Sequence, residues 1–144
     1  MLDELYQEVI LDHGRKPRNF GSVDGATHFA EGFNTLCGDR VLVSLSMDGD
    51  MIGEIKFAGC GCAICMASAS LMTQMVKGKS PAEVAELFGD FQGVVTGQAV
   101  GRDLGELEAL AGVKNYPNRV KCATLAWHAV IDAMKNPRED NEDA

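Results

Sequence analysis

Leu2, Leu5, Tyr6, Val9, Ile10 and His13 recur every three or four residues, which predicts an amphipathic helix at the start of the chain. Gly14 is the expected left-handed cap, and Pro17 prevents continuation. The period then shortens. Val41, Val43, Leu45 and Met47 alternate with Leu42, Ser44 and Ser46, Asp48-Gly49-Asp50 supplies a turn, and Gly53, Ile55 and Phe57 resume the two-residue repeat. This pattern predicts a β-hairpin with one buried face, and "THFAEGF" ahead of it reads as a third antiparallel strand.

From Ala63 the helical period returns on Ile64, Ala67, Ser68, Leu71 and Met75, with Gly78 as its end. "KSPAEVAEL" opens a further helix with Ser80 as N-cap, Pro81 in the first turn and Glu83 closing a capping box. Gly89, Gly93, Gly97, Gly101 and Gly105 follow at four-residue intervals; each interior glycine costs a helix about 1 kcal/mol, so this stretch reads as irregular loop. "LGELEAL" is a short helical piece. Pro117 starts the last helix, whose expected buried stripe is Val120, Ala123, Thr124, Trp127, Ile131 and Met134. The order helix, strands, helices predicts an α+β domain: a small antiparallel three-stranded sheet with helices packed on one face. It is expected to occupy residues 1–136 as a single domain, with 137–144 as an acidic flexible tail.

Composition narrows the function classes. The chain has 144 residues, 46% of them hydrophobic and 24% charged, as expected of one globular domain with a core of its own. Its formal charge of −8, without a basic stripe, argues against nucleic acid as a partner, because phosphate contacts need clustered Lys and Arg. No apolar run reaches the roughly 20 residues of a bilayer span, and the acidic start is unlike a secretory signal. The expected setting is the cytoplasm, where thiols stay reduced. No phosphate-binding loop, dinucleotide fingerprint, serine-hydrolase elbow or HExxH motif occurs.

The five cysteines carry the remaining chemistry. Cys37 lies in "NTLCGDR", a Gly-Asp turn before a strand; Cys62 opens a helix; Cys122 falls in the first two turns of another. Helix N-termini favour thiolate, the form that binds metals and attacks sulfur. With Asp39 as a hard oxygen donor, these three sulfurs would complete a tetrahedral zinc site, although separations of 25 and 60 residues are unlike any zinc finger. Each cysteine taken alone is better explained as a small buried residue. Cys62 and Cys65 also make a CxxC pair, but with neither the βαβ context of a thioredoxin nor a second pair for a zinc knuckle. His13, His28 and His128 read as amphipathic-face or surface residues rather than ligands.

At "CGDR", "GCGCAICMASASLMTQMVKGKS" and "YPNRVKCATLAWHAV" the chain resembles the SufU branch of the IscU/NifU N-terminal family of iron–sulfur assembly proteins, from about Leu2 to Met134. That resemblance implies a SufE/NifU-like fold and metal ligands at Cys37, Asp39, Cys62 and Cys122. Cys60 and Cys65 depart from the family pattern and are expected to be spare thiols, open to sulfur or oxidation, rather than ligands. IscU-type scaffolds carry His immediately before the last cysteine, where this chain has Lys121; Lys121, Arg119 and an extra segment resembling residues 93–113 point to the SufU branch.

The implied function is iron–sulfur cluster biogenesis, as a zinc-dependent sulfurtransferase that accepts persulfide sulfur from a SufS-type cysteine desulfurase and carries it to a downstream scaffold. By the same resemblance, a desulfurase histidine displaces Cys37, whose thiolate then takes the sulfur, and Arg119 holds an acidic group; a surface cation at a helix start is the plainer account of Arg119. The alternative is a scaffold that assembles a [2Fe–2S] cluster, or holds iron, at the same four positions. A purely structural zinc is the third possibility; a domain of this size should keep its fold without metal.

Overall fold

The structure, a computed structural model, describes residues 2–35, 38–98, 100–101 and 103–137, without the side chains of residues 2–6 and Cys60. Three strands, β1 (His28–Asn34), β2 (Asp39–Asp48) and β3 (Met51–Cys60), form an antiparallel sheet in the order β1-β2-β3. Helices α1 (Leu2–Arg15), α2 (Ala63–Val76), α3 (Pro81–Thr96) and α4 (Pro117–Lys135) complete the domain, with a 3₁₀ segment, Gly105–Asn115, between the last two. The expected α+β architecture is the observed one. No helix among the described residues is long and apolar enough to cross a membrane.

The hairpin turns at Gly49, whose φ of 64° suits glycine. Val43 pairs with Phe57 and Leu45 with Ile55, all four buried. Between Ser46 and Met47 the register shifts: Ser46 faces Glu54 and Met47 faces Ile52, which skips Gly53. Ile52 therefore enters the core, 1% exposed, at the position the strict alternation gave to Gly53.

Helix α2 is buried almost all round, from Cys65 through Val76, rather than along one stripe. Its serines are interior hydrogen-bonding groups. The Ser68 hydroxyl donates to the Ala123 carbonyl of α4, and the Ser70 hydroxyl accepts from the Arg18 N–H (2.8 Å) and bonds His13 Nδ1 (2.7 Å). His13 is thus a buried residue, 2% exposed. Helix α1 continues through Gly14 to Arg15, so Gly14 is not its cap; among non-glycine described residues the left-handed turn falls on Asn19.

The capping box is present: Ser80 Oγ accepts from the Glu83 N–H, and the Glu83 carboxylate from the Ser80 N–H. The predicted loop after it is instead helix as far as Thr96, with Gly97 as the left-handed cap. Tertiary packing overrides the glycine cost. Val84, Leu87, Phe91 and Val95 are buried, and Phe91 stacks on Trp127 at 5.0 Å. Gly93 lets the returning chain approach, since a Cβ there would meet Val100 at 2.9 Å.

Of the stripe expected on α4, Ala123, Thr124 and Trp127 are buried, together with Cys122, Ala126, Ala129, Val130 and Ala133, while Val120, Ile131 and Met134 lie at its margins. Pro137, expected to open the tail, bridges His28; residues 138–144 lie outside the described residues.

Candidate metal centre

Three elements meet at one end of the sheet. Asp39 is the first residue of β2, Cys62 the N-cap of α2, and Cys122 lies in the second turn of α4. One ligand atom from each lies within 4.8 Å of the other two. Asp39 and Cys122 are buried, at 3% and 0% exposed, and Cys62 is half-buried.

Asp39 organises this corner. Its Oδ1 accepts from the Cys62 N–H at 2.9 Å, and its Oδ2 stands 3.8 Å from Cys62 Sγ. Gly61 has no side chain because there is no room for one: a Cβ would stand 3.0 Å from Cys65 Sγ and 3.4 Å from Asp39 Oδ1. Gly59 is tighter still, with φ of 134° and a virtual Cβ only 2.2 Å from the Arg40 carbonyl oxygen. On the α4 side, Asn34 Nδ2 donates to Cys122 Sγ at 3.6 Å. The bond between Ser68 and the Ala123 carbonyl holds together the two helices that carry the cysteines.

The donor set suits a metal of intermediate softness. Two sulfurs and a carboxylate are zinc ligands, and a tetrahedral zinc with bonds of about 2.3 Å to sulfur and 2.0 Å to oxygen separates S from O by about 3.5 Å. The Asp39–Cys62 separation of 3.8 Å is close to that edge.

Of the residues singled out from sequence, Asp39, Cys62 and Cys122 come together. Cys37 lies outside the described residues, as does the side chain of Cys60. Arg119 is exposed in the first turn of α4, in an open cleft lined by Tyr116, Pro117 and Asn118. His13, His28 and His128 are not part of the trio. Sequence reasoning missed Asn34, whose one signal was an amide at a strand end three residues before Cys37.

The family model described as "NifU-like N terminal domain" matches residues 5–123. The chain belongs to this family. Among NifU-like relatives, it is 44% identical over 133 residues to the "Zinc-dependent sulfurtransferase SufU" of Bacillus subtilis (strain 168), covering 90% of this chain and 88% of that protein. It is 43% identical over 136 residues to the "Iron-sulfur cluster assembly scaffold protein IscU" of Streptococcus pyogenes serotype M1, covering 93% and 85%. The fold matches the crystal structure of a putative iron–sulfur cluster assembly scaffold protein for the SUF system from Fervidobacterium islandicum AW-1. The TM-score is 0.84 at 35% identity, over 91% of this chain and 97% of that one.

Proposed function

We propose that this NifU-like protein is a zinc-dependent sulfurtransferase of iron–sulfur cluster assembly, accepting persulfide sulfur from a SufS-type cysteine desulfurase in the cytoplasm and passing it to a downstream scaffold. The observation that carries the reading is the convergence of Asp39, Cys62 and Cys122 donor atoms within 4.8 Å at one end of the sheet. Cys37, two residues before Asp39, supplies the fourth donor and the nucleophile. Bound zinc would keep the cysteines as thiolates and withhold them from reaction until a partner docks.

The sulfur step belongs to Cys37. Its thiolate attacks the outer sulfur of the desulfurase persulfide, the bond from that sulfur to the desulfurase cysteine breaks, and the latter departs as thiolate. Cys37 keeps the outer sulfur as its own persulfide. Asp39, tied to the start of α2 through the Cys62 N–H, holds the corner in register while Cys37 reacts. Arg119, exposed one helical turn before Cys122, holds an acidic group of this chain or of the docked desulfurase. Residues 1–136 carry the activity.

Lys121 favours sulfur transfer over cluster assembly, because an exposed lysine, a donor group without an acceptor, is a poor ligand where IscU-type scaffolds have histidine. The test is alanine production by the matching desulfurase with zinc-loaded protein added substoichiometrically. Strong stimulation that disappears in Cys37→Ala supports the reading. No stimulation, with iron-dependent colour developing on the protein, overturns it in favour of the scaffold function named for the streptococcal relative.

A further inference from the structure

We propose that Cys62 and Cys65 form a dithiol pair that a hydroperoxide closes into a disulfide, withdrawing Cys62 from the donor trio and releasing the metal. The disulfide stands on geometry alone; only the metal release rests on the zinc reading above.

The two cysteines occupy the N-cap and N3 positions of α2. In α3 the residues at those same positions, Ser80 and Glu83, reach each other's backbone in both directions, so side chains placed this way lie over the same first turn. Helix geometry sets their Cα atoms about 5 Å apart, inside the roughly 4.4–6.8 Å that a disulfide spans. Cys65 turns the right way. Its Sγ would lie 3.0 Å from a Cβ on Gly61, the residue before Cys62, so it points back over the helix start beside Asp39.

Exposure divides the roles. Cys62 is half-buried and open to a small oxidant, whereas Cys65 is 3% exposed and stands outside the trio whose donors share a metal position. Cys65 is therefore not one of the donors that converge on the metal position. Cys122 is the competing partner, but it sits on another helix, 0% exposed, with its sulfur taken by Asn34 and the trio.

The chemistry balances with hydrogen peroxide as the oxidant. The Cys62 thiolate attacks one peroxide oxygen, the O–O bond breaks, and hydroxide leaves, giving a sulfenic acid. The Cys65 thiol attacks that sulfur, the S–S bond forms, the S–O bond breaks, and the hydroxyl leaves as water with the Cys65 proton. Two thiols lose two electrons, and one peroxide becomes two waters once the hydroxide is protonated.

The experiment treats the full chain, metal-free and zinc-loaded, with hydrogen peroxide. Remaining thiols are then blocked, tryptic peptides are sequenced by tandem mass spectrometry, and released zinc is followed with a chromogenic chelator. Trypsin places Cys60, Cys62 and Cys65 in one peptide and Cys122 in another. The expected result is a link within the first peptide, with backbone fragments separating Cys60 from it. Zinc release should parallel this link and be reversed by dithiothreitol. Cys65→Ser should bind zinc like the parent but lose it irreversibly, with Cys62 driven to sulfinic acid. A link from Cys62 to Cys122, Cys37 or Cys60, or parental reversibility in Cys65→Ser, overturns the proposal. So does loss of zinc binding in Cys65→Ser before oxidation, which would make Cys65 a ligand. A 62–65 link in a chain that binds no zinc would sustain the pair and sink the metal reading instead.

Discussion

Replacing Asp39 separates its two jobs, because alanine removes both and asparagine only one. In the parent, Oδ1 accepts the Cys62 N–H at 2.9 Å in a site only 3% exposed. Alanine leaves that amide without its acceptor, and a hydrogen bond to a charged group is worth about 2 kcal/mol. A chain of this size loses about 3 °C per kcal/mol, so the metal-free Asp39→Ala protein should melt about 6 °C below the parent. Asparagine retains a carbonyl acceptor for the same N–H, so metal-free Asp39→Asn should melt within about 2 °C of the parent.

Metal reverses the grouping. Zinc at about 100 times its dissociation constant stabilises the parent by about 2.7 kcal/mol, or about 8 °C. A tenfold weaker site loses about 1.4 kcal/mol of that gain. Both variants should therefore show a zinc-induced rise smaller than the parent's by about 4 °C or more. Differential scanning calorimetry of the three proteins, with and without zinc, makes the comparison. Equal melting of metal-free Asp39→Ala and parent would refute the capping role; equal zinc shifts in all three would refute the donor role.

Two further outcomes follow from the backbone and the buried imidazole. Gly59→Ala introduces a Cβ 2.2 Å from the Arg40 carbonyl at φ of 134°, whereas Gly49→Ala, at φ of 64°, meets nothing within 4 Å. Both incur strain of about 1–3 kcal/mol, so Gly59→Ala should be the less stable by a further margin in chemical denaturation; equal losses would show that the approach of β3 to β2 is not tight. Burial pushes His13 below its usual value, with Arg18 acting in the same direction, while Glu106, 3.9 Å away, and Asp12 oppose them. The unfolded chain then binds the proton more readily, so His13 favours the fold above the unfolded value near 6.5 and that stability is lost as the pH falls through it. Metal-free parent should lose more stability than His13→Gln between about pH 7.5 and 5.5, and parallel melting curves would contradict this.

Alternation on β2 and helical spacing on α2 and α4 were legible because side-chain period follows backbone geometry. Where contacts across the fold decide, the pattern misled. The Gly53 register shift put Ile52 into the core, and α3 ran on through Gly89 and Gly93 because Phe91, Val95 and the returning Val100 needed that face. The site was harder still. Asp39, Cys62 and Cys122 each sit at or near the start of an element, a visible hint, but only resemblance to a family joined them, since nothing local records that β2, α2 and α4 converge. Asn34 and the room kept by Gly61 are properties of that convergence and left no mark of their own.

The contact between Asn34 and Cys122 spans 88 residues of chain, while that between Asp39 and Cys62 spans only 23. On the ribosome, the strands and the start of α2 emerge well before α4. Until then the early cysteines stand without the wall that α4 provides, and no complete metal cradle exists. Loading must wait for the last helix to dock on the sheet. Occupancy of the site would thus certify that α4 has been made and has docked, and a chain truncated before Pro117 should carry thiols but no zinc.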